Sequence, residues 1–118
     1  MTIEPTLVTM AALYLAGGLH PNVAPQNAAR PYGVYTAIVS PTRNTLSDGV
    51  PIHQDIVQID VWDVTYAGAL AAGEAFAAAV QAAFDTGTLT GIQRSRRGRY
   101  DAESQLHGFN YEFSFWYP

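Results

Sequence analysis

Leu106-His107-Gly108-Phe109-Asn110-Tyr111-Glu112-Phe113-Ser114-Phe115-Trp116-Tyr117 carries the strictest pattern in this chain of 118 residues. Phe109, Tyr111, Phe113, Phe115 and Tyr117 recur at every second position, opposite Asn110, Glu112 and Ser114. A period of two is that of a strand with one face in a core, because successive side chains of a strand point to opposite sides. A row of rings this large needs a cover, and helices rich in alanine leave room for it.

Outward from that strand, the segment before it supplies such a helix. Thr65 caps it, Leu70, Gly73, Phe76, Val80 and Phe84 trace its stripe, and Gly87 follows its end. Ahead of the helix, Ile52 to Val64 alternates again, with Val57, Ile59 and Val61 on one side and Gln58 and Asp60 on the other. Tyr32 to Ser40 is rich in β-branched and aromatic residues and is bracketed by Pro31 and Pro41, which predicts another strand. The polar stretch from Pro41 to Pro51 reads as a loop, of a length for an arm or a hairpin tip. Leu19 to Pro31 has three prolines and no period, and reads as an extended connection. Ile3, Leu7, Met10 and Tyr14 are spaced as on a first helix running to Ala16, with Thr2 as cap and Gly17-Gly18 as stop. A short strand is expected over Leu89 to Gln93, followed by the arginine-rich Arg94 to Arg99 as a loop. The expected architecture is therefore α+β: one domain over 1–118, with a four-stranded, mainly antiparallel sheet, two helices on one face and the order α-β-β-α-β-β.

Composition narrows the functions. Apolar residues make up 48% and charged residues only 14%, well under the ~25% of an average soluble protein, so outer faces are expected to be buried against partners. A net charge of −4 argues against coating nucleic acid. With no cysteine, disulfides, thiolate metal sites and cysteine nucleophiles are excluded. The first twenty residues lack a basic leader, and the most apolar helix is interrupted by Gly68, Gly73 and Glu74, so neither signal peptide nor membrane contact is expected.

Motifs for chemistry are missing. His20, His53 and His107 lack the close pairing of metal ligands and read as surface residues. Asp55, Asp60 and Asp63 fall where solvent-facing strand residues fall. Thr86-Gly87-Thr88-Leu89-Thr90-Gly91 lacks the lysine of a phosphate loop and the third glycine of a dinucleotide fingerprint. The expectation is thus no enzyme, no catalytic residue, no cofactor and no metal.

The arginines stand out. Arg94, Arg96, Arg97 and Arg99 are four of the six basic residues in an acidic chain. Either they form a solvated turn that keeps a sheet edge from aggregating, or they make contact with carboxylates of a neighbouring subunit or phosphates of DNA. Trp62, Trp116 and Tyr117 exceed what two short helices can cover, which points to an interface. A rival use of the closing strand is as a stacking platform for single-stranded nucleic acid on Phe109, Tyr111 and Phe113, with the arginines on phosphates, making the chain a nucleic-acid-binding module.

Several stretches resemble the tail-completion (tail-terminator) proteins of long-tailed phages and prophages. They are Pro25-Gln26, Arg30-Pro31-Tyr32-Gly33-Val34-Tyr35, Val57-Gln58-Ile59-Asp60-Val61-Trp62, Thr65-Tyr66-Ala67-Gly68-Ala69-Leu70 and Tyr100-Asp101-Ala102-Glu103. The resemblance runs nearly end to end, in order and spacing; the dense arginine run departs from it. It implies a virion structural protein, assembled in the host cytoplasm, that forms a homo-oligomeric ring, commonly of six subunits, at the head-proximal end of the tail. There it would stop tail-tube polymerisation and meet the tail tube and the head connector, with DNA passing through its lumen. On that reading the Pro41 to Pro51 loop, with Arg43 and Asp48, and the arginine run are the elements that reach neighbours, with Trp62 and Trp116 as further contacts.

Overall fold

The computed structural model describes residues 4–25, 28–39, 42–44 and 51–117, with the side chains of 38–39, 42–44, 51–53 and 117 left out. In chain order the elements are α1 (Glu4–Ala11), β1 (Leu19–Pro21), β2 (Tyr32–Val39), β3 (Thr42–Asn44), β4 (Pro51–Asp63), α2 (Tyr66–Asp85), β5 (Gly91–Asp101) and β6 (Leu106–Tyr117). The sheet runs β1-β2-β4-β6-β5, with β3 also pairing β4. β2, β3, β5 and β6 are joined antiparallel to their partners, while β1 lies parallel to β2.

The α+β class and the helix-on-sheet arrangement are those expected, but the strand count and the sheet's make-up are not: the expected four-stranded sheet is mixed, with two more short strands. Leu19–Pro21 belongs to β1 rather than to a connection, and Asn22 donates its N–H to the Tyr35 carbonyl at 2.9 Å to continue the pairing. Part of the expected Pro41–Pro51 loop is strand as well. Asn44 stands opposite Pro51 in register, so β3 and β4 form the end of a long hairpin whose linking residues 45–50, Asp48 among them, lie outside the described residues.

The alternating residues face as their period predicts. Val57, Ile59 and Val61 of β4, with Phe109, Tyr111, Phe113 and Phe115 of β6, are buried on the face covered by α2. Val57 pairs with Phe113, Ile59 with Tyr111 and Val61 with Phe109, so each aliphatic side chain meets a ring across the strands. α2 is long and apolar enough to cross a membrane by length and composition alone. Here Ala69, Gly73, Phe76, Ala77, Val80 and Ala83 of α2 are buried in the core. Gly73 is required by this closeness, since a Cβ there would lie 2.9 Å from Tyr111 Cε2.

Thr65 caps α2 as read from the sequence: it is extended at φ −113 and ψ 151, and its Oγ1 accepts from the Gly68 N–H at 3.0 Å. Thr65→Ala is expected to cost about 1 kcal/mol, the usual worth of such a cap, read as a lower urea midpoint at unchanged slope.

α1 is shorter than expected. After Ala11 the bonds tighten to Leu13 N–H on the Met10 carbonyl and Tyr14 N–H on the Ala11 carbonyl, and this turn carries Leu15 into the core against Gly33. Gly18 then reverses the chain at φ +78, a conformation suited to glycine. Leu7, Ala11 and Leu15, four apart, supply the buried stripe.

Candidate functional site

The sheet face opposite the helices carries the polar partners of the alternating strands, and Arg94, Arg97, Arg99 and Trp62 lie on it. The arginine run is not a loop. It forms most of β5, an edge strand paired only with β6, and the turn follows later, at residues 102–105. The outer row of β5 is an open sheet edge among the described residues, and charge on such an edge discourages indiscriminate strand addition.

Register fixes where each arginine goes. Arg97 lies opposite Asn110 and Arg99 opposite Gly108, on the open face, while Arg96 lies opposite Tyr111 on the helix face. Arg94 sits at a bulge between Gln93 and Ser95, and its guanidinium reaches the open face, donating to Ser114 Oγ at 3.3 Å and pairing with Glu112 Oε2 at 3.2 Å. Arg99 Nη1 donates to Asp60 Oδ1 at 2.8 Å, and its guanidinium carbon stands 5.6 Å from the centroid of the Trp62 ring. Arg96 pairs with Glu74 of α2. Only Arg97 of the four has no hydrogen-bond or ion-pair partner among the described residues.

Three carboxylates thus neutralise three of four arginines, and the run is much less basic in the fold than in the sequence. Each of these arginines is about half exposed, so the pairs themselves contribute little stability. Their stems matter more. Asn110 and Ser114 are buried although no helix covers their face, and the arginine side chains of β5 lie beside them. Asn110 Nδ2 in turn donates to Asp60 Oδ1 at 2.9 Å, which joins β4, β5 and β6 through one carboxylate.

Trp62 occupies one end of this face. Its ring lies across Gly108, its partner in register; a Cβ at Gly108 would come within 2.6 Å of Trp62 Cε3. Trp116 is half-buried eight strand positions further along, about 26 Å away at strand rise, so the two tryptophans do not form one contact. The side chain of Arg43 and the whole of Asp48 lie outside the described residues.

The stacking-platform reading is overturned by burial. Phe109, Tyr111 and Phe113 lie beneath α2, at 4%, 0% and 0% exposure, and no base can reach them. Tyr111 is held there as a neutral group: burial, then the nearby Glu74 carboxylate, push its hydroxyl well above the ordinary tyrosine range. It donates to Glu74 Oε1 at 3.5 Å, the same oxygen that pairs with Arg96.

The aspartates do not converge, since Asp55 and Asp60 point to opposite faces of β4, and Asp63 Oδ1 accepts from the Val64 N–H at 2.7 Å. His20 contacts the Gly17 carbonyl at 2.6 Å, and His107 packs between the rings of Tyr66 and Tyr100; the side chain of His53 is outside the described residues. Among the described residues no group of three or more histidine, aspartate or glutamate side chains is placed to hold a metal ion. What the face offers is a nearly neutral polar surface bounded, among the described residues, by an open strand edge.

One feature sequence reasoning missed is the aromatic group of Tyr66, His107 and Tyr100, with ring centroids 6.2 and 4.8 Å apart, at the exposed end of β5. Its members are 34 positions apart or more between helix and strands, so only the register of β5 on β6 reveals it.

The model of a family described as tail completion protein gp17 matches residues 6–118. No curated protein matches the chain.

Proposed function

The chain belongs to the phage tail-completion protein family and is a structural component of the phage tail, and from that premise we propose that it assembles into a ring at the head-proximal end of the tail. The ring, of six subunits, stops polymerisation of the tail tube and joins the tail to the head connector at the neck. No catalytic step is involved. The observation that carries the ring is the open edge of β5: an eleven-residue strand with only one neighbour among the described residues invites a second chain, and one interface repeated by rotation closes a cycle. The open face suits a lumen, because DNA passing it meets Arg94 and Arg99 already paired with Glu112 and Asp60 rather than a basic surface, with Arg97 alone, among the described residues, free for transient contact with phosphate.

Light scattering of the purified protein tests this. A ring of six copies of 12.8 kDa has a mass of about 77 kDa, and electron micrographs would show a central hole. A 12.8 kDa monomer that persists when the protein is concentrated or mixed with tail tubes refutes the ring.

A further inference from the structure

β5 is a strand without a core face. From Ile92 to Asp101 every residue is exposed, and no residue of the strand belongs to the hydrophobic core. Its flanks are anchored: Leu89 ahead of it and Leu106 beyond the turn are buried, and the Trp116 N–H donates to the Thr90 carbonyl at 2.8 Å. Between those anchors, among the described residues, its backbone pairs with β6 alone. Most edge strands are also held by side chains that reach the core. Here Tyr100, whose ring lies 4.8 Å from that of His107, and the arginines take their place.

The three arginine pairs are placed as clasps. Arg94 pairs with Glu112 near the start of the strand, Arg96 with Glu74 in its middle and Arg99 with Asp60 near its end. Arg94 and Arg99 grip from the open face and Arg96 from the helix face. The carboxylates stand on β6, α2 and β4, so each clasp ties β5 to a different element. Pairs this exposed add little to the stability of the whole domain, but opening an edge strand locally takes far less free energy than unfolding everything. The same small attraction is therefore a large share of what seats this strand. Exposed pairs are also the contacts that salt screens most.

We propose that β5 is seated by its three arginine clasps rather than by a core face, and that ionic strength sets how firmly the sheet presents its open edge. At low salt the edge is ordered in one register. At high salt it loosens, while β4 and β6 stay closed under α2 through their buried side chains. The clasps lie within one chain, so this goes beyond the ring reading and does not rest on it.

Hydrogen exchange of the backbone amides tests it, with light scattering establishing that the samples compared have the same mass. Raising sodium chloride from about 0.05 to about 1 M shortens the screening length to about 3 Å, and is expected to speed exchange of the β5 amides bonded to β6 about threefold or more relative to the amides of β4. Glu74→Gln combined with Glu112→Gln supplies the second arm. Both side chains keep their shape, and an oxygen at position 74 still accepts from Tyr111, but Arg94, Arg96 and Arg97 become unneutralised like charges on one strand. Salt then screens repulsion instead of attraction, so the same rise is expected to slow exchange of these amides. Circular dichroism establishes that the variant is folded; the salt response of the unaltered chain is a complete test without it. Exchange in β5 as slow as in β4, or indifferent to salt, overturns the proposal. So does a folded variant whose β5 amides respond to salt in the same direction as those of the unaltered chain.

Discussion

Phe113→Ala is expected to lower folding stability by about 3–5 kcal/mol, against a total of roughly 5–15 kcal/mol for a domain of this size. Phe113 is fully buried in the middle of β6, opposite Val57, with the rings of Tyr111, Phe115 and Phe84 around it at centroid distances of 6.4, 5.9 and 6.4 Å. Truncation removes the apolar contact and leaves a cavity between two strands and a helix that are each held by other contacts, so the site cannot collapse to fill it. Urea unfolding followed by circular dichroism measures the loss. Ile92→Ala, an apolar truncation of the neighbouring exposed strand, is the control, with an expected change within about 0.5 kcal/mol. A Phe113→Ala loss below about 1 kcal/mol would contradict the placement of this ring at the centre of the core.

Asp60→Ala is expected to cost about 1–3 kcal/mol, and the ion pair is the smaller part of it. Arg99 is nearly half exposed, so its separation from Asp60 is compensated by water. Asn110 is 3% exposed and donates to the same oxygen at 2.9 Å; without Asp60 its amide is a buried donor with no acceptor. The two contributions separate by substitution. Asp60→Asn keeps an acceptor for Asn110 and removes the charge, and is expected to lose less than half of what Asp60→Ala loses. Arg99→Ala, which removes only the ion pair and the contact over Trp62, is expected to stay within about 1 kcal/mol. Equal losses for Asp60→Asn and Asp60→Ala would show that charge, not the buried amide, governs this position.

The elements with a buried face were legible in the sequence, and those without one were not. β4 and β6 alternate because one side of each meets α2, and the helix that the sequence places from its Thr65 cap through Phe84 is observed over Tyr66–Asp85. In the sequence β5 reads as ending at Gln93 because nearly every residue in it is exposed: a strand wet on both faces has no alternation, and four arginines look like a turn. β1 and β3, three residues each, exist only because β2 and β4 offer them a backbone row, a tertiary fact that no local pattern encodes. The candidate site shows the same division. The arginine cluster was visible as composition, but its neutralisation by Glu74 and Asp60, 22 and 39 residues away, depends on register. A bulge at Arg94 decides which face each of the following arginines takes, and bulges leave no mark in composition.

β6 lies between β4 and β5, though it is the last strand along the chain. A nascent chain emerges from its N-terminal end, at roughly 5–20 residues per second, so every other described element is made before the strand that joins β5 to β4. Until residues 106–117 are available, β4 lacks one of its neighbours, β5 has none, and α2 has no ring-lined surface to cover. β1, β2, β3 and β4 can pair with one another before that, whereas β5 joins the sheet only through β6. A subunit interrupted before residues 106–117 leaves the β6 side of β4 unpaired and β5 without a place in the sheet.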